Sequence, residues 1–488
     1  MCAGAQLLKR LGLKTGDGLV LLSENNVGFL AVYWAAQLSG LYFTPISTQF
    51  KSSEIKYLLN DCDASVLVVS STQRDKLADL HVPQQHVFTI EEWQSECDSF
   101  ATAYVPGIPR DSVEGAEMLY SSGTTGKPKG IRNATPGAKP GTISSIMKLR
   151  IALHDISDAC TYLSTAPLYH SAPLRYNQMV LRSGGTSIIM AKFDAETSLQ
   201  LIEQHKITHS QWVPTMFIRL LKLPEPVRNQ YSLASHKFAI HAAAPCPVTV
   251  KNRMFDWWGP ILYEYYGGTE GNGQTAISPE EWLQRPGSVG RAIASAIIHI
   301  QPLPDPDAIN SATDGPRPEQ KDLPPGESGL VYFEGGARFA YHKDANKTLA
   351  AQTFSGWSTL GDIGYLDTEG YLYLTDRMSF MIISGGVNIY PQEIENVLLS
   401  HPSVLDSAVF GIPNTEFGEE VKAAVQLNDS LLDTLSTEEQ SGLKQELISF
   451  CKDRLAHLKC PGSIDFHAAL PRHQTGKIYK QQLRDAYC

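Results

Sequence analysis

The stretch Tyr120-Ser-Ser-Gly-Thr-Thr-Gly-Lys-Pro-Lys-Gly130 is the most informative part of this chain. It holds three glycines, four serines or threonines and two lysines in eleven positions. Glycine lets backbone amides converge on a phosphate, hydroxyl groups add donors, and lysine adds a compact positive charge. The mononucleotide P-loop would need glycine at position 121 and serine or threonine at position 128, where the chain has Ser121 and Pro128. The stretch therefore predicts a phosphate-binding loop of another kind.

Short apolar runs and helical patterns alternate on both sides of this loop. The runs at 19–22 and 65–69 flank helical segments, and the same alternation returns between 186 and 243. Strands separated by helices predict a largely parallel sheet covered on both faces. The aromatic and β-branched runs near 329–335 and 370–377 instead predict an antiparallel, barrel-like part.

The last 110 or so residues differ in pattern from what precedes them. Two strand-like runs, one short helical run and a long amphipathic run at 438–458 predict a compact α+β module. Residues 302–325 hold seven prolines and predict an irregular surface loop. We therefore expect an α/β protein with a large N-terminal domain at 1–377 and a small α+β domain at 378–488.

Composition and charge exclude several classes of protein. The chain has 488 residues, 42% of them hydrophobic, and no run of 18 apolar residues that could cross a bilayer. Its net charge of −10 argues against nucleic-acid binding, which needs a basic surface. The eight cysteines show no metal-binding spacing, and no secretory signal is visible. We expect a cytoplasmic protein whose partners are small molecules.

The phosphate loop and four later segments together resemble the acyl-CoA synthetase, adenylation-domain and luciferase superfamily. In family order, the later segments contain Ala242–Pro247, Tyr263–Glu270, Gly356–Arg377 and Pro471–Lys480. The set spans about three quarters of the chain. The resemblance implies an enzyme that uses ATP, Mg²⁺ and coenzyme A as a co-substrate.

The resemblance also assigns roles to single residues. Tyr266 would stack on adenine, Thr269 would contact the α-phosphate, and Glu270 would hold Mg²⁺. Asp362 would accept hydrogen bonds from the ribose, and Arg377 would reach the ribose or a phosphate. The remaining nucleotide contacts would be Ser121, Ser122, Gly123, Thr124, Thr125, Gly126, Lys127, Lys129, Ala243, Ala244 and Pro245.

Three features of the C-terminal part complete the predicted machinery. Lys477 in Pro471-Arg-His-Gln-Thr-Gly-Lys477 would stabilise negative charge as the carboxylate attacks the α-phosphorus. Ser379 would be the hinge, although relatives usually have aspartate or lysine there. The loop holding Gly385 and Gly386, which begins at Ser384, would enter the active site for thioester formation. The catalytic residues would thus be Lys477, Thr269 and Glu270.

The class of acid that the enzyme would use is inferred from residues 166–174, which border the acyl pocket in this superfamily. His170 takes the usual histidine position, and no aspartate is present to bind an α-amino group. The resemblance therefore implies an AMP-forming ligase that joins a hydrophobic carboxylic acid, such as a fatty acid, to coenzyme A. Alternatives are loading of a carrier-protein pantetheine, an aryl or sterol side-chain acid as substrate, and a non-catalytic nucleotide-binding homologue.

Overall fold

The computed structural model describes residues 1–78, 80–103, 112–121, 128–132, 137–304, 315–428, 431–432, 434–472 and 478–487. The chain forms strands separated by helices over most of this length. The strands are β1 (Gly18–Leu22), β2 (Tyr42–Ile46), β3 (Ala64–Val69), β4 (His86–Thr89), β5 (Ala116–Ser121), β6 (Lys129–Arg132), β7 (Thr161–Ser164), β8 (Thr186–Ile189), β9 (His209–Trp212), β10 (Phe238–His241), β11 (Leu262–Gly267), β12 (Gln274–Ile277), β13 (Arg291–Ala292), β14 (Ile297–Gln301), β15 (Gly329–Glu334), β16 (Ala340–Tyr341), β17 (Asp362–Leu366), β18 (Leu372–Arg377), β19 (Ile382–Ser384), β20 (Val387–Ile389), β21 (Val404–Asn414), β22 (Gly418–Leu427) and β23 (Ser463–His467).

The α-helices are mostly short and cover the sheets. They are α1 (Cys2–Arg10), α2 (Val27–Leu38), α3 (Ser52–Asp61), α4 (Ile90–Ala103), α5 (Ser145–Leu153), α6 (Ser171–Arg182), α7 (Ala195–Gln204), α8 (Pro214–Leu221), α9 (Glu225–Arg228), α10 (Val248–Trp258), α11 (Pro279–Gln284), α12 (Ala345–Ala350), α13 (Pro391–Leu399), α14 (Thr437–Lys452) and α15 (Lys480–Asp485). Among the described residues, no helix combines the length and apolarity needed to cross a membrane.

Two seven-stranded sheets form most of the molecule. The first has the order β16-β6-β5-β2-β1-β3-β4, and the second has the order β13-β12-β11-β10-β9-β7-β8. Pairing is parallel from β5 through β4 and from β11 through β8, whereas the other strands of both sheets pair antiparallel. The β-branched, buried residues of β3 show why these runs form interior strands. The predicted α/β class is confirmed.

The antiparallel part is a four-stranded sheet with the order β14-β15-β17-β18. An antiparallel bridge between Gly290 and Leu372 connects β18 to the chain just before β13 at the edge of the second large sheet. The described ends of the proline-rich stretch, 302–304 and 315–325, contain no helix and no strand beyond one bridge at Arg317. Its remaining residues lie outside the described ranges.

The C-terminal part forms a sheet of its own with the order β20-β19-β22-β21, and β23 pairs in parallel with β22. Its core includes Ile394, Val409, Val425 and Leu447, which are separate from the apolar clusters of the large sheets. Helix α14 begins with a reciprocal cap in which the Ser436 side chain accepts from the Glu439 amide and Glu439 accepts from the Ser436 amide. The expected α+β character of this part is confirmed.

Candidate active site

The carboxyl ends of several strands of the two large sheets meet at one cavity of about 990 Å³. Residues that follow β7, β9, β10 and β11 line it, as do residues from the antiparallel part. Side chains and backbone at the carboxyl ends of parallel strands commonly form ligand sites, because the connecting loops there are free to vary. The cavity is therefore the candidate active site.

Seven residues predicted from the sequence line this cavity. They come from segments that are far apart along the chain, and the fold brings them together. They are Lys129, His170, Ala243, Thr269, Glu270, Arg377 and Ser379.

Other predicted residues lie elsewhere. Tyr266 and Asp362 lie next to the cavity without lining it, Ala244 and Pro245 follow Ala243 outside it, and Gly385 and Gly386 turn between β19 and β20. The predicted contacts Ser122, Gly123, Thr124, Thr125, Gly126 and Lys127 and the predicted catalytic Lys477 lie outside the described residues, as does the side chain of Ser121.

Asp362 is the centre of a hydrogen-bonded group behind the cavity wall. Its Oδ1 accepts from Arg377 Nε at 2.8 Å and its Oδ2 accepts from the Tyr266 hydroxyl at 2.6 Å. Burial and the neighbouring carboxylate raise the pKa of Tyr266 well above its ordinary value, so the phenol stays a donor. The pKa of Arg377 is raised chiefly by the charge of Asp362. The group is a fixed acceptor beside a fixed cation.

Glu270 is a buried carboxylate at the cavity wall, 8% exposed. It accepts a hydrogen bond of 3.0 Å from the hydroxyl of Tyr341, and the ammonium of Lys347 lies 4.7 Å from the centre of the Tyr341 ring. Burial lowers the pKa of Lys347. Lys129 forms an ion pair with Asp344 in the same region, and this contact lowers the pKa of Asp344. Cations and one buried carboxylate thus share this end of the cavity.

A lone carboxylate beside cations suits Mg²⁺ that is held largely by phosphates. Magnesium usually keeps several waters and takes one or two carboxylates plus substrate phosphates, and Glu270 offers such an oxygen. The described part of the chain contains no group of three or more His, Cys, Asp or Glu side chains that would form a dedicated metal cage.

The turn after β10 has the strained backbone expected where a chain approaches a ligand closely. Ala243 lines the cavity with φ of 78°, a left-handed conformation that L-residues rarely adopt. Lys251 and Glu264 form a buried ion pair of 2.5 Å that joins helix α10 to strand β11, and burial raises the pKa of Glu264. Both charged groups interact electrostatically with Cys246 in this turn.

The C-terminal part contacts the cavity wall at two places. Ser379, the predicted hinge, lines the cavity. Tyr479 lies close enough to Tyr169, another lining residue, for the two phenols to interact electrostatically. The segment after Lys477 is thus beside the candidate site in this arrangement.

Several lining residues were missed by the sequence analysis. Arg150, Arg175, Asp344 and Lys347 carry charge into the cavity, and Tyr341 fixes Glu270 from 71 residues away. The only local signal was Asp344, whose side chain caps α12 by accepting from the Lys347 amide. Such a cap predicts a helix start and gives no information about a distant carboxylate.

Comparison with known proteins agrees with this geometry. The family described as AMP-binding enzyme matches residues 1–336, and the AMP-binding enzyme C-terminal domain matches residues 393–477. A 2-succinylbenzoate–CoA ligase of Bacillus licheniformis is 30% identical over 98% of this chain and 91% of the relative. A long-chain-fatty-acid–CoA ligase of Mycobacterium tuberculosis is 28% identical over 99% of this chain and 90% of the relative.

Solved structures share the fold over nearly the whole chain. ATP-bound MatB from Rhodopseudomonas palustris has a TM-score of 0.83 at 25% identity, covering 100% of this chain and 92% of that one. The o-succinylbenzoate–CoA synthetase of Bacillus subtilis, in complex with its acyl-adenylate, has a TM-score of 0.78 at 26% identity. That match covers 99% of this chain and 91% of the other.

Proposed function

This chain belongs to the AMP-binding enzyme family and is an acid–CoA ligase of the AMP-forming type, and we propose that its acid substrate has an apolar body. It uses ATP and coenzyme A. A carboxylate is a poor acyl donor because its oxygen is a poor leaving group. Joining it to AMP supplies a good leaving group, which the thiol of coenzyme A then displaces.

The use of ATP by this site is supported by the charged residues that line the cavity. Lys129, Lys347 and Arg377 line the cavity together with one buried carboxylate, Glu270, and the last two of these cations interact electrostatically with it. Such a set can neutralise a polyphosphate and hold its cation. We propose that Asp362 and Arg377 bind the ribose, Tyr266 contributes to the adenine site, and Thr269 contacts the α-phosphate. Lys477 would add charge at the reacting phosphorus.

Mg²⁺ would be held by Glu270, and it would neutralise charge that develops on the phosphate oxygens. The protein's own side chains orient the Glu270 carboxylate and the neighbouring Thr269. Tyr341 donates to one oxygen of Glu270 and so fixes the carboxylate. Arg175 places its guanidinium 3.4 Å from the carbonyl oxygen of Thr269, and the Thr269 hydroxyl lies 3.3 Å from that of Ser171. These contacts hold the Thr269–Glu270 segment in one position.

We further propose that residues 1–377 and 378–488 are separate domains that move about Ser379. The separate core of the C-terminal sheet supports this division. One site must serve two reactions, and rotation of a small domain would withdraw Lys477 and admit the thiol through the Gly385–Gly386 loop. The φ angles of these glycines, 56° and 78°, suit a tight hairpin tip.

The residues that line part of the cavity support the proposal that the acid has an apolar body. The apolar and aromatic residues Trp212, Val213, Tyr176 and Tyr265 line the cavity, as does His170. No aspartate occurs between 166 and 174, so an α-ammonium group would lack a local countercharge. We propose a fatty acid as the substrate, with an aryl or sterol side-chain acid as the alternative.

Exchange of labelled pyrophosphate into ATP tests the first half-reaction. A panel of alkanoic, aryl and sterol side-chain acids should identify at least one acid that drives exchange. Coenzyme A should then give the acyl-CoA in amounts equal to the AMP formed. Exchange without acyl-CoA formation would favour a carrier-protein acceptor, and the lack of exchange with every acid would contradict the proposed function.

A further inference from the structure

Arg150 places a guanidinium at the wall of the cavity, and no sequence motif accounts for it. It lies on α5 and donates from Nε to Oε1 of Gln274 at 2.7 Å. No carboxylate among the described residues forms an ion pair with it, whereas Arg175 and Arg377 in the same cavity both have one. Among the described residues, the side chain of Arg150 thus donates to a neutral amide, Gln274.

The surroundings of Arg150 do not compensate this charge. Burial lowers the pKa of the Arg150 guanidinium, and Arg175 acts in the same direction. The carboxylate of the nearby Glu117 lies 3.5 Å from Arg175 and also accepts the Tyr33 hydroxyl at 3.0 Å. Two guanidinium groups thus share a single carboxylate. Arg150 is half-buried and faces the cavity without a carboxylate of its own, so this part of the cavity is complementary to one more anion.

Arg150 belongs to the aromatic side of the cavity. Its electrostatic neighbours are the phenols of Tyr176 and Tyr265, whose rings lie 6.0 Å apart. The charged groups that interact with Glu270 are different ones, namely Lys347 and Arg377. The free anion-binding capacity therefore lies beside the aromatic residues proposed to contact the acid.

We propose that the acid substrate carries a second carboxylate, and that Arg150, positioned by Gln274, binds it. This inference rests on the proposed function. The acid would then be a dicarboxylic acid with an apolar body, which contacts Tyr176 and Tyr265 between its two charged ends. A guanidinium suits this role because its fork of donors matches a carboxylate, and Nε is already fixed by Gln274.

The test uses three acids of one carbon skeleton: a long α,ω-dicarboxylic acid, its monomethyl ester and the monocarboxylic acid. An aromatic set of the same design accompanies them. Pyrophosphate exchange gives kcat/KM for each acid. The wild-type protein should prefer the diacid over its ester by about 10- to 100-fold, the scale of one charge-assisted hydrogen bond. Preference for the ester or the monocarboxylic acid would overturn the proposal.

Two variants address the residue itself. Arg150→Met removes the cation, and Gln274→Glu places a carboxylate against it, so both should abolish the preference for the diacid by opposite means. Arg454→Met, which removes an exposed arginine that lies over the ring of Phe450 in the C-terminal part, is the matched control. Thermal unfolding reports whether each variant folds, and a folded Gln274→Glu protein suffices if Arg150→Met does not fold.

The anion could instead be a phosphate of ATP, and the same experiment separates the two sources. If both variants raise KM for ATP and leave the ratio between diacid and ester unchanged, the substrate proposal is wrong. A lack of exchange with all acids in the wild-type protein would contradict the proposed function as well. If the wild-type protein catalyses exchange but does not prefer the diacid over its ester, only the inference about Arg150 is wrong.

Discussion

Arg377 donates from Nε to Oδ1 of Asp362 across 2.8 Å, and the two residues are direct partners on antiparallel strands β17 and β18. Tyr266 donates to the other carboxylate oxygen at 2.6 Å. Both oxygens of Asp362 are thus oriented before any ligand binds. An acceptor fixed in this way loses little conformational freedom when ribose hydroxyls arrive.

Asp362→Asn should raise KM for ATP by about tenfold or more, because a charge-assisted acceptor becomes a neutral one and Arg377 loses its partner. Tyr266→Phe keeps the ring and Asp362's bond to Arg377, so it should cause a smaller rise. The measurement is pyrophosphate exchange at varied ATP concentration. An unchanged KM in Asp362→Asn would exclude this carboxylate from the nucleotide site.

Glu270→Gln tests the proposed magnesium site. The amide can still accept from Tyr341, so the local structure should be retained while the negative charge is lost. We expect the Mg²⁺ concentration for half-maximal exchange to rise by about tenfold or more, since Mg²⁺ prefers charged oxygen ligands. Tyr341→Phe, which removes the donor and keeps the charge, should shift it less. Equal magnesium requirements in wild type and Glu270→Gln would contradict the assignment.

His236 gives the protein an acid-sensitive stability. Burial lowers its pKa to about 3, whereas an unfolded histidine titrates near 6.5. Between these values the unfolded state binds more protons, so stability is complete above about pH 6.5 and falls as the pH drops toward 3. His236 alone contributes a slope of about 1.4 kcal/mol per pH unit within this window.

His236→Asn should flatten the slope by that amount, while it keeps a polar partner for Ser210. Urea unfolding midpoints at pH 7, 6 and 5 measure the effect. His205→Asn, at an exposed histidine, is the matched control substitution. His154, whose pKa burial also lowers to about 3, would maintain part of the slope in either variant.

The alternation of apolar runs was enough to predict the sheets, because a buried parallel strand such as β3 must be apolar along its whole length. The 15-residue spacing between Asp362 and Arg377 corresponds to a real pairing across a short hairpin. Both signals are local. Each depends only on residues within one element or two adjacent elements.

The cavity residues that the sequence analysis did not predict are brought there by contacts between distant elements. Gln274 meets Arg150 across 124 residues, and Tyr341 meets Glu270 across 71. An arginine on a helix usually faces solvent, so the pattern around Arg150 gave no reason to place it in a cavity. The proposed second carboxylate of the acid depends on this contact, since the sequence alone indicated only an apolar acid.

Asp376 links the two sides of the proposed hinge. Its Oδ2 accepts from the amide of Gln392 at 2.8 Å, in the first turn of α13, whose preceding residue Tyr390 provides no side-chain cap. We propose that this contact stabilises the arrangement in which Tyr479 lies near Tyr169. Asp376→Ala should slow adenylation by about 3- to 10-fold, the value of one hydrogen bond at a helix N-terminus.

Thioester formation from supplied acyl-AMP should be slowed less, because that step uses the rotated arrangement. The ratio of the two half-reaction rates is the measurement, and Asp376→Asn, which keeps an acceptor oxygen, should lie between wild type and Asp376→Ala. A larger loss in the second half-reaction than in the first would contradict this role for Asp376.

Lys477 provides the final test of the two-step scheme. Its neighbour in sequence, Tyr479, lies near Tyr169 at the cavity wall, and the motif places a cation two residues before it. Because negative charge increases on the phosphate oxygens as the carboxylate attacks, Lys477→Ala should reduce pyrophosphate exchange by about 100-fold or more. Thioester formation from supplied acyl-AMP should stay within a few-fold of wild type. Lys452→Ala, an exposed lysine on α14, controls for loss of charge. Equal losses in both half-reactions would mean that Lys477 does not act specifically in adenylation, and would remove the main reason for the proposed domain movement.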